Sequence, residues 1–118
     1  MNKFAETLTV DNAVLAMIDH QTGLLVSCRD QDAHLMTENI KGLCSMAKVV
    51  GMPTIITASM PDGPNGPIMP EITDILGDEV IERAGEINAW KSPEFKKAIE
   101  ATGRNKIIMA GIVTDVCL

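Results

Sequence analysis

The chain has no tyrosine, two phenylalanines and one tryptophan. Phe4, Trp90 and Phe95 are too few to build a platform on which bases stack. Positive charge is scarce as well: 10 Lys plus Arg stand against 16 Asp plus Glu, a formal net charge of −6. That sign repels phosphate backbones and anionic headgroups, so the expected partners include neither nucleic acid nor a membrane. The longest apolar stretches, around residues 13–18 and 107–113, fall short of the roughly 20 residues needed to cross a bilayer. The opening Met1-Asn2-Lys3-Phe4-Ala5-Glu6 meets an acid before any apolar run forms, which predicts no secretory leader. Cys28, Cys44 and Cys117 cannot all pair within the chain, and their spacings match neither a disulfide framework nor a zinc knuckle. A reducing, cytoplasmic location is the expectation.

What is present is enough for a core. Of 118 residues, 46% are hydrophobic and 22% charged, the balance of one packed domain rather than of a disordered chain. Ala13 to Ile18 is continuously apolar, the pattern of a strand covered on both faces, and it ends at Asp19. From Asp32 to Val50, Met36, Ile40, Leu43, Ala47 and Val50 recur at helical spacing, with Gly51 and Pro53 closing the helix. Pro53 to Ala58 predicts a second buried strand. Four prolines and two glycines between Pro61 and Pro70 then exclude regular structure and suit one wall of a pocket. Ile72 to Leu76 predicts a short helix, and Glu79 to Arg83 a third strand. Ser92 and Pro93 open a helix that Gly103 closes, and Lys106 to Gly111 predicts a fourth strand. This order predicts parallel strands joined by right-handed crossovers, a layered α/β fold.

In such a sheet the C-terminal strand ends share one edge, and ligands bind along it. The first strand brings Asp19 there, the third Arg83, and the fourth leads into Gly111-Ile112-Val113-Thr114-Asp115-Val116-Cys117. Each residue alone has a structural reading: a turn-capping acid, a surface-paired arginine, an inert buried thiol. Their meeting at one edge favours chemistry. A thiol attacks as thiolate, so Cys117 needs a base, and Asp19 is placed to take its proton and return it to a leaving amine. Arg83 cannot lose a proton, which confines it to an electrostatic part. A helix opening at Thr114 would favour negative charge on the sulfur. Gln21, Asn88 and Trp90 are expected to line the substrate pocket, although packing at a helix entrance accounts equally well for Trp90.

Asp19 within Ile18-Asp19-His20-Gln21, the stretch from Gly111 to Cys117, and Arg83-Ala84-Gly85-Glu86-Ile87-Asn88-Ala89-Trp90 resemble the isochorismatase-like cysteine hydrolases. Gly63-Pro64-Asn65-Gly66-Pro67 and Asn88-Ala89-Trp90 are similar to the YcaC-type branch of that family. The resemblance implies a three-layer α/β/α fold with a mostly parallel sheet, a homo-oligomer, and cleavage of a C–N bond in a small amide through a thioester. It implies Asp19, Arg83 and Cys117 as the catalytic set and backbone amides of Val113 and Cys117 as the oxyanion hole. It also implies a cis bond between Ile112 and Val113. The family's usual lysine is replaced here by Arg83, with Lys91 as a weaker alternative. Where nicotinamidases carry metal-binding histidines this chain has Thr57-Ala58-Ser59-Met60, so no metal and no cofactor are expected. Two alternatives stay open: a non-catalytic oligomeric binding protein on the same fold, and a vinyl ether hydrolase of the isochorismate type. The resemblance further calls for strands and helices beyond the fourth strand, so residues 1–118 are expected to be the N-terminal part of one longer domain.

Overall fold

A computed structural model of the chain describes residues 6–114 and 116–118; the leader reading at Met1–Ala5 and the place of Asp115 in the final motif lie outside them. Four strands form the sheet: β1 (Ala13–Ile18), β2 (Thr54–Ser59), β3 (Val80–Arg83) and β4 (Lys106–Gly111). Their order is β3-β2-β1-β4 and every pairing is parallel. Four helices accompany them: α1 (Thr22–Leu25), α2 (Ala33–Val50), α3 (Pro70–Leu76) and α4 (Pro93–Ala101), with a single 3₁₀ turn at Ala89–Lys91.

All six residues of β1 are buried, which explains why its sequence is apolar without alternation. Ala13, Leu15 and Met17 pack on one face with Ile40, Cys44 and Ala47 of α2 and Ile72 of α3. Val14, Ala16 and Ile18 pack on the other with Phe95 and Ile99 of α4. The result is the expected three-layer α/β/α arrangement. Burying a side chain such as Leu15 contributes about 1.5–3 kcal/mol, so β1 supplies a large part of the folding drive.

The helix ends follow their local chemistry. Asp32 caps α2 by accepting the Leu35 N–H at 2.9 Å, and Gly51 closes it in a left-handed conformation at φ 72°. Ser92 caps α4 by accepting the Phe95 N–H, with Pro93 in the first turn. Helix α3 starts at Pro70, two residues before the expected Ile72, because proline's fixed φ suits a first turn. The single turn α1 was not expected, being too short to leave a periodic signal.

The proline-rich loop after β2 is welded to the segment after β1. Thr22 donates its backbone N–H to Pro67 (3.0 Å), Gly23 to Asn65 (2.7 Å), and Met69 to His20 (2.9 Å). The buried Gln21 side chain completes the weld: its Nε2 donates to the Ser59 and Gly66 carbonyls at 3.0 and 2.7 Å, while its Oε1 accepts the Ser59 N–H at 2.9 Å. Glycine is required at position 23, where an added Cβ would overlap the Pro64 carbonyl oxygen and lie 2.7 Å from that of Asn65. Both obstacles are backbone, so they cannot rotate away. Gly23→Ala is expected to cost about 1–3 kcal/mol in denaturant unfolding by forcing the loop off α1. An unchanged midpoint would show that the loop does not seat there.

Candidate active site

The sheet delivers three chemically active side chains to its C-terminal edge. Asp19 follows β1 directly, in a left-handed conformation at φ 58° that costs a non-glycine residue energy. Its N–H donates to the Thr57 carbonyl at 3.0 Å and its carbonyl accepts the Gln21 N–H at 2.9 Å, so the strained backbone is held on both sides. Arg83 ends β3, two strands away. Parallel pairing of Ile18 with Thr57 and of Ser59 with Arg83 brings the two together across β2.

Their side chains meet in a bidentate ion pair, Nη1 to Oδ1 at 2.7 Å and Nη2 to Oδ2 at 2.9 Å, with both residues almost completely buried. The remaining guanidinium hydrogens are also placed. Nε donates to the Glu86 carbonyl (2.8 Å), Nη1 to the Thr57 hydroxyl (3.0 Å) and Nη2 to the Ile87 carbonyl (3.4 Å). Five donors thus meet five acceptors, the condition under which a buried ion pair is tolerated. The expectation for Arg83 is thereby narrowed: its hydrogens are committed to the protein, so it orients Asp19 rather than reaching a ligand.

Cys117 lies half-buried beside this pair and packs against the apolar cluster of Val14, Ala16 and Ile18. Its thiol is pushed up to about 11, first by burial and then by the charge of the Asp19 carboxylate and a hydrogen bond to it, while Arg83 pulls the other way. At neutral pH the sulfur is therefore a thiol near a carboxylate. This differs from the expectation of a thiolate favoured by a helix terminus. Residues around Cys117 form overlapping turns instead, in which Val116, Cys117 and Leu118 all donate their N–H groups to the Val113 carbonyl at 3.0–3.3 Å. The Cys117 bond, from residue i to i−4, closes a single α-turn. The Cys117 N–H, expected in an oxyanion hole, is occupied by that carbonyl. The described residues contain no cis peptide bond, so Ile112 and Val113 are joined in the trans form, which is favoured by several kcal/mol unless its surroundings force the alternative.

Of the expected pocket residues, Asn88 and Trp90 lie with Cys117 around an apolar cavity of about 60 Å³, together with Ile18, Phe95 and Met109. Asn88 opens the 3₁₀ turn by accepting the Trp90 N–H on its Oδ1 at 3.0 Å. The Trp90 ring is 44% exposed, stands edge-on to Phe95 at 6.4 Å and carries the Lys96 ammonium 5.6 Å from its centre. Gln21 does not join them. Its carboxamide is committed to Ser59 and Gly66, so it clamps the loop after β2, and no residue from 61–70 lines this cavity.

Sequence reasoning missed Thr57. A hydroxyl inside a buried β-branched strand was the available signal, because a buried polar group demands a partner. His20 is buried, and its Nδ1 has no hydrogen-bond partner among the described residues. Burial lowers it from 6.5 to about 4, outweighing the attraction of Asp19. Cys44 sits on the buried face of α2, and burial pushes its thiol up. Cys28 donates to Asp30 at 3.3 Å, and that bond is the main cause of its raised value. Among the described residues no group of three His, Cys, Asp or Glu is arranged to hold a metal ion.

Two outcomes follow for stability. Arg83→Met leaves the Asp19 carboxylate buried without its partner and is expected to cost about 3–5 kcal/mol in equilibrium unfolding; a loss under about 1 kcal/mol would show that the pair is dispensable. For His20 the unfolded chain binds a proton near pH 6.5 whereas the folded protein resists until about 4. Its contribution is therefore complete above about pH 6.5 and falls by about 3 kcal/mol as the pH drops to about 4. Unfolding curves of the parent and His20→Gln should diverge across that window, and parallel curves would contradict the assignment.

The chain matches the family model described as "Isochorismatase domain" over residues 13–118. It is 41% identical over 119 residues to the Escherichia coli (strain K12) protein named "Probable hydrolase YcaC", covering all of this chain and 57% of that one. The crystal structure of the E. coli YcaC gene product, described as an octameric hydrolase of unknown specificity, superposes with a TM-score of 0.90 at 42% identity, over 94% of this chain and 55% of that one. Pseudomonas aeruginosa YcaC, solved with hexane-2,5-diol and covalent acrylamide, gives 0.91 at 41% identity, over 96% and 56%. The chain thus spans a little over half the length of these relatives.

Proposed function

The chain belongs to the isochorismatase family, and we propose that it carries the catalytic edge of a cysteine hydrolase that cleaves a C–N bond in a small amide. The observation that carries this reading is the bidentate lock of Arg83 on the Asp19 carboxylate, whose charge reaches the neighbouring Cys117 thiol. Cys117 Sγ attacks the carbonyl carbon as Asp19 takes the thiol proton, giving a tetrahedral intermediate. Asp19 returns that proton to the nitrogen as the C–N bond breaks, leaving a thioester and a free amine or ammonia. Water then attacks the thioester carbonyl while Asp19 takes its proton, and return of that proton to sulfur releases the carboxylic acid. No redox partner is needed and the protein ends as it began.

The raised thiol is consistent with this cycle. A proton that moves from sulfur to carboxylate only during attack keeps the resting site uncharged on sulfur. Arg83 supports the carboxylate in its charged, proton-accepting form. Asn88 and Trp90 flank the cavity beside the sulfur, which suits a small, mostly apolar acyl group. The octameric description of the E. coli relative supports a homo-oligomer, and the exposed apolar Met60, Ile87, Trp90 and Val116 are candidates for contacts between copies. No helix among the described residues is long and apolar enough to cross a membrane. Three unpaired cysteines suit a reducing cytoplasm.

Acrylamide, found covalently bound in the P. aeruginosa relative, is a convenient probe. Mass spectrometry should show Cys117 labelled faster than Cys28 and Cys44 at pH 7. Asp19→Asn removes the carboxylate charge that raises the thiol, so the sulfur itself becomes more acidic. If the thiolate fraction alone controlled reactivity, labelling would accelerate. Base assistance instead predicts slowing by about 10²-fold or more. Acceleration in Asp19→Asn, or equal labelling of all three cysteines in the parent, would overturn the reading.

A further inference from the structure

We propose that Thr57 is a positioning residue that fixes the Asp19–Arg83 pair in the orientation from which Asp19 takes the Cys117 proton; the inference rests on the reading above. Thr57 is completely buried on β2, between Ile18 of β1 and Ile81 of β3 in the sheet register. It holds both partners of the ion pair at once. Its main-chain carbonyl accepts the Asp19 N–H at 3.0 Å, and its hydroxyl accepts from Arg83 Nη1 at 3.0 Å.

The direction of that second bond is dictated. A hydroxyl has one proton, and Thr57 donates it to the Ile81 carbonyl at 2.8 Å, which leaves its lone pairs for the guanidinium. Nη1 therefore has one hydrogen on Thr57 and one on Asp19 Oδ1. Together with Nε on Glu86 and Nη2 on Ile87, this sets the plane of the guanidinium, and a planar fork sets the plane of the carboxylate it grips. Packing alone would not select threonine here. Valine has nearly the same shape, suits a buried strand and carries no polar atom to satisfy.

Acrylamide labelling of Cys117 in the full chain, followed by mass spectrometry across a range of pH, tests the inference. Thr57→Val should slow labelling at pH 7 by about ten- to a hundredfold, the effect of one lost hydrogen bond to a charged group. Thr57→Ser keeps the hydroxyl and should restore a rate close to the parent's. In an Asp19→Asn background the valine substitution should add nothing, because its effect passes through Asp19. If Thr57→Val does not unfold cooperatively, Thr57→Ala is read in the same way. Thr57→Val at the parent rate, serine as slow as valine, or an undiminished effect in Asp19→Asn would each overturn the role of Thr57. Those outcomes leave the catalytic reading intact, provided that Cys117 of the parent outpaces Cys28. A parent whose Cys117 does not outpace Cys28 overturns both.

Discussion

A carboxylate and a guanidinium buried against each other govern the geometry of this protein. Removing two charges from water is expensive, and the cost is met only when every remaining hydrogen and lone pair finds a partner. Here the partners come from distant parts of the chain: Asp19 from the end of β1, Thr57 from β2, Arg83 from the end of β3, and the Glu86 and Ile87 carbonyls from the loop beyond. The pair therefore constrains the register of three strands and the path of one loop. It also stabilises the left-handed backbone of Asp19 from the side-chain end, while Thr57 and Gln21 hold it from the main chain.

The same interaction shapes the chemistry of Cys117. Burial is the main reason the Cys117 thiol resists ionising and the neighbouring carboxylate adds to it, whereas an isolated arginine would encourage ionisation. Pairing Arg83 with Asp19 shifts the local balance toward the first case. On the reading proposed above, the sulfur is activated in the act of attack and does not rest as thiolate. The welded loop after β2 serves this site indirectly. By tying Ser59 and Gly66 to Gln21, it holds the chain just after Asp19.

Much of the framework was legible in the residue order because it depends on local chemistry. The buried run Ala13–Ile18, the α2 stripe through Ile40, Cys44 and Ala47, and the Ser92-Pro93 start of α4 all carry their own signals. The convergence of Asp19 and Arg83 followed from one topological rule about parallel sheets. What escaped was what depends on non-local partners. Gln21 looks like a ligand contact until Ser59 and Gly66 are seen to occupy its amide. Thr57 looks like an ordinary strand residue until its hydroxyl is found between Ile81 and Arg83. The peptide amide of Cys117 looked free for an oxyanion until the Val113 carbonyl was seen to hold it.

Sequence alone therefore determined the periodicities, the caps, the parallel layered class and the identity of the acid, cation and thiol at one edge, because each is written within a few residues of itself. Tertiary structure decided how those groups are used. Whether an amide, a hydroxyl or a guanidinium faces a ligand or is spent inside the protein depends on acceptors tens of residues away, and hydrogen-bond capacity is finite. Arg83 gives all five hydrogens to Asp19, Thr57, Glu86 and Ile87 and keeps none for a ligand, a count of donors in space that no local pattern encodes.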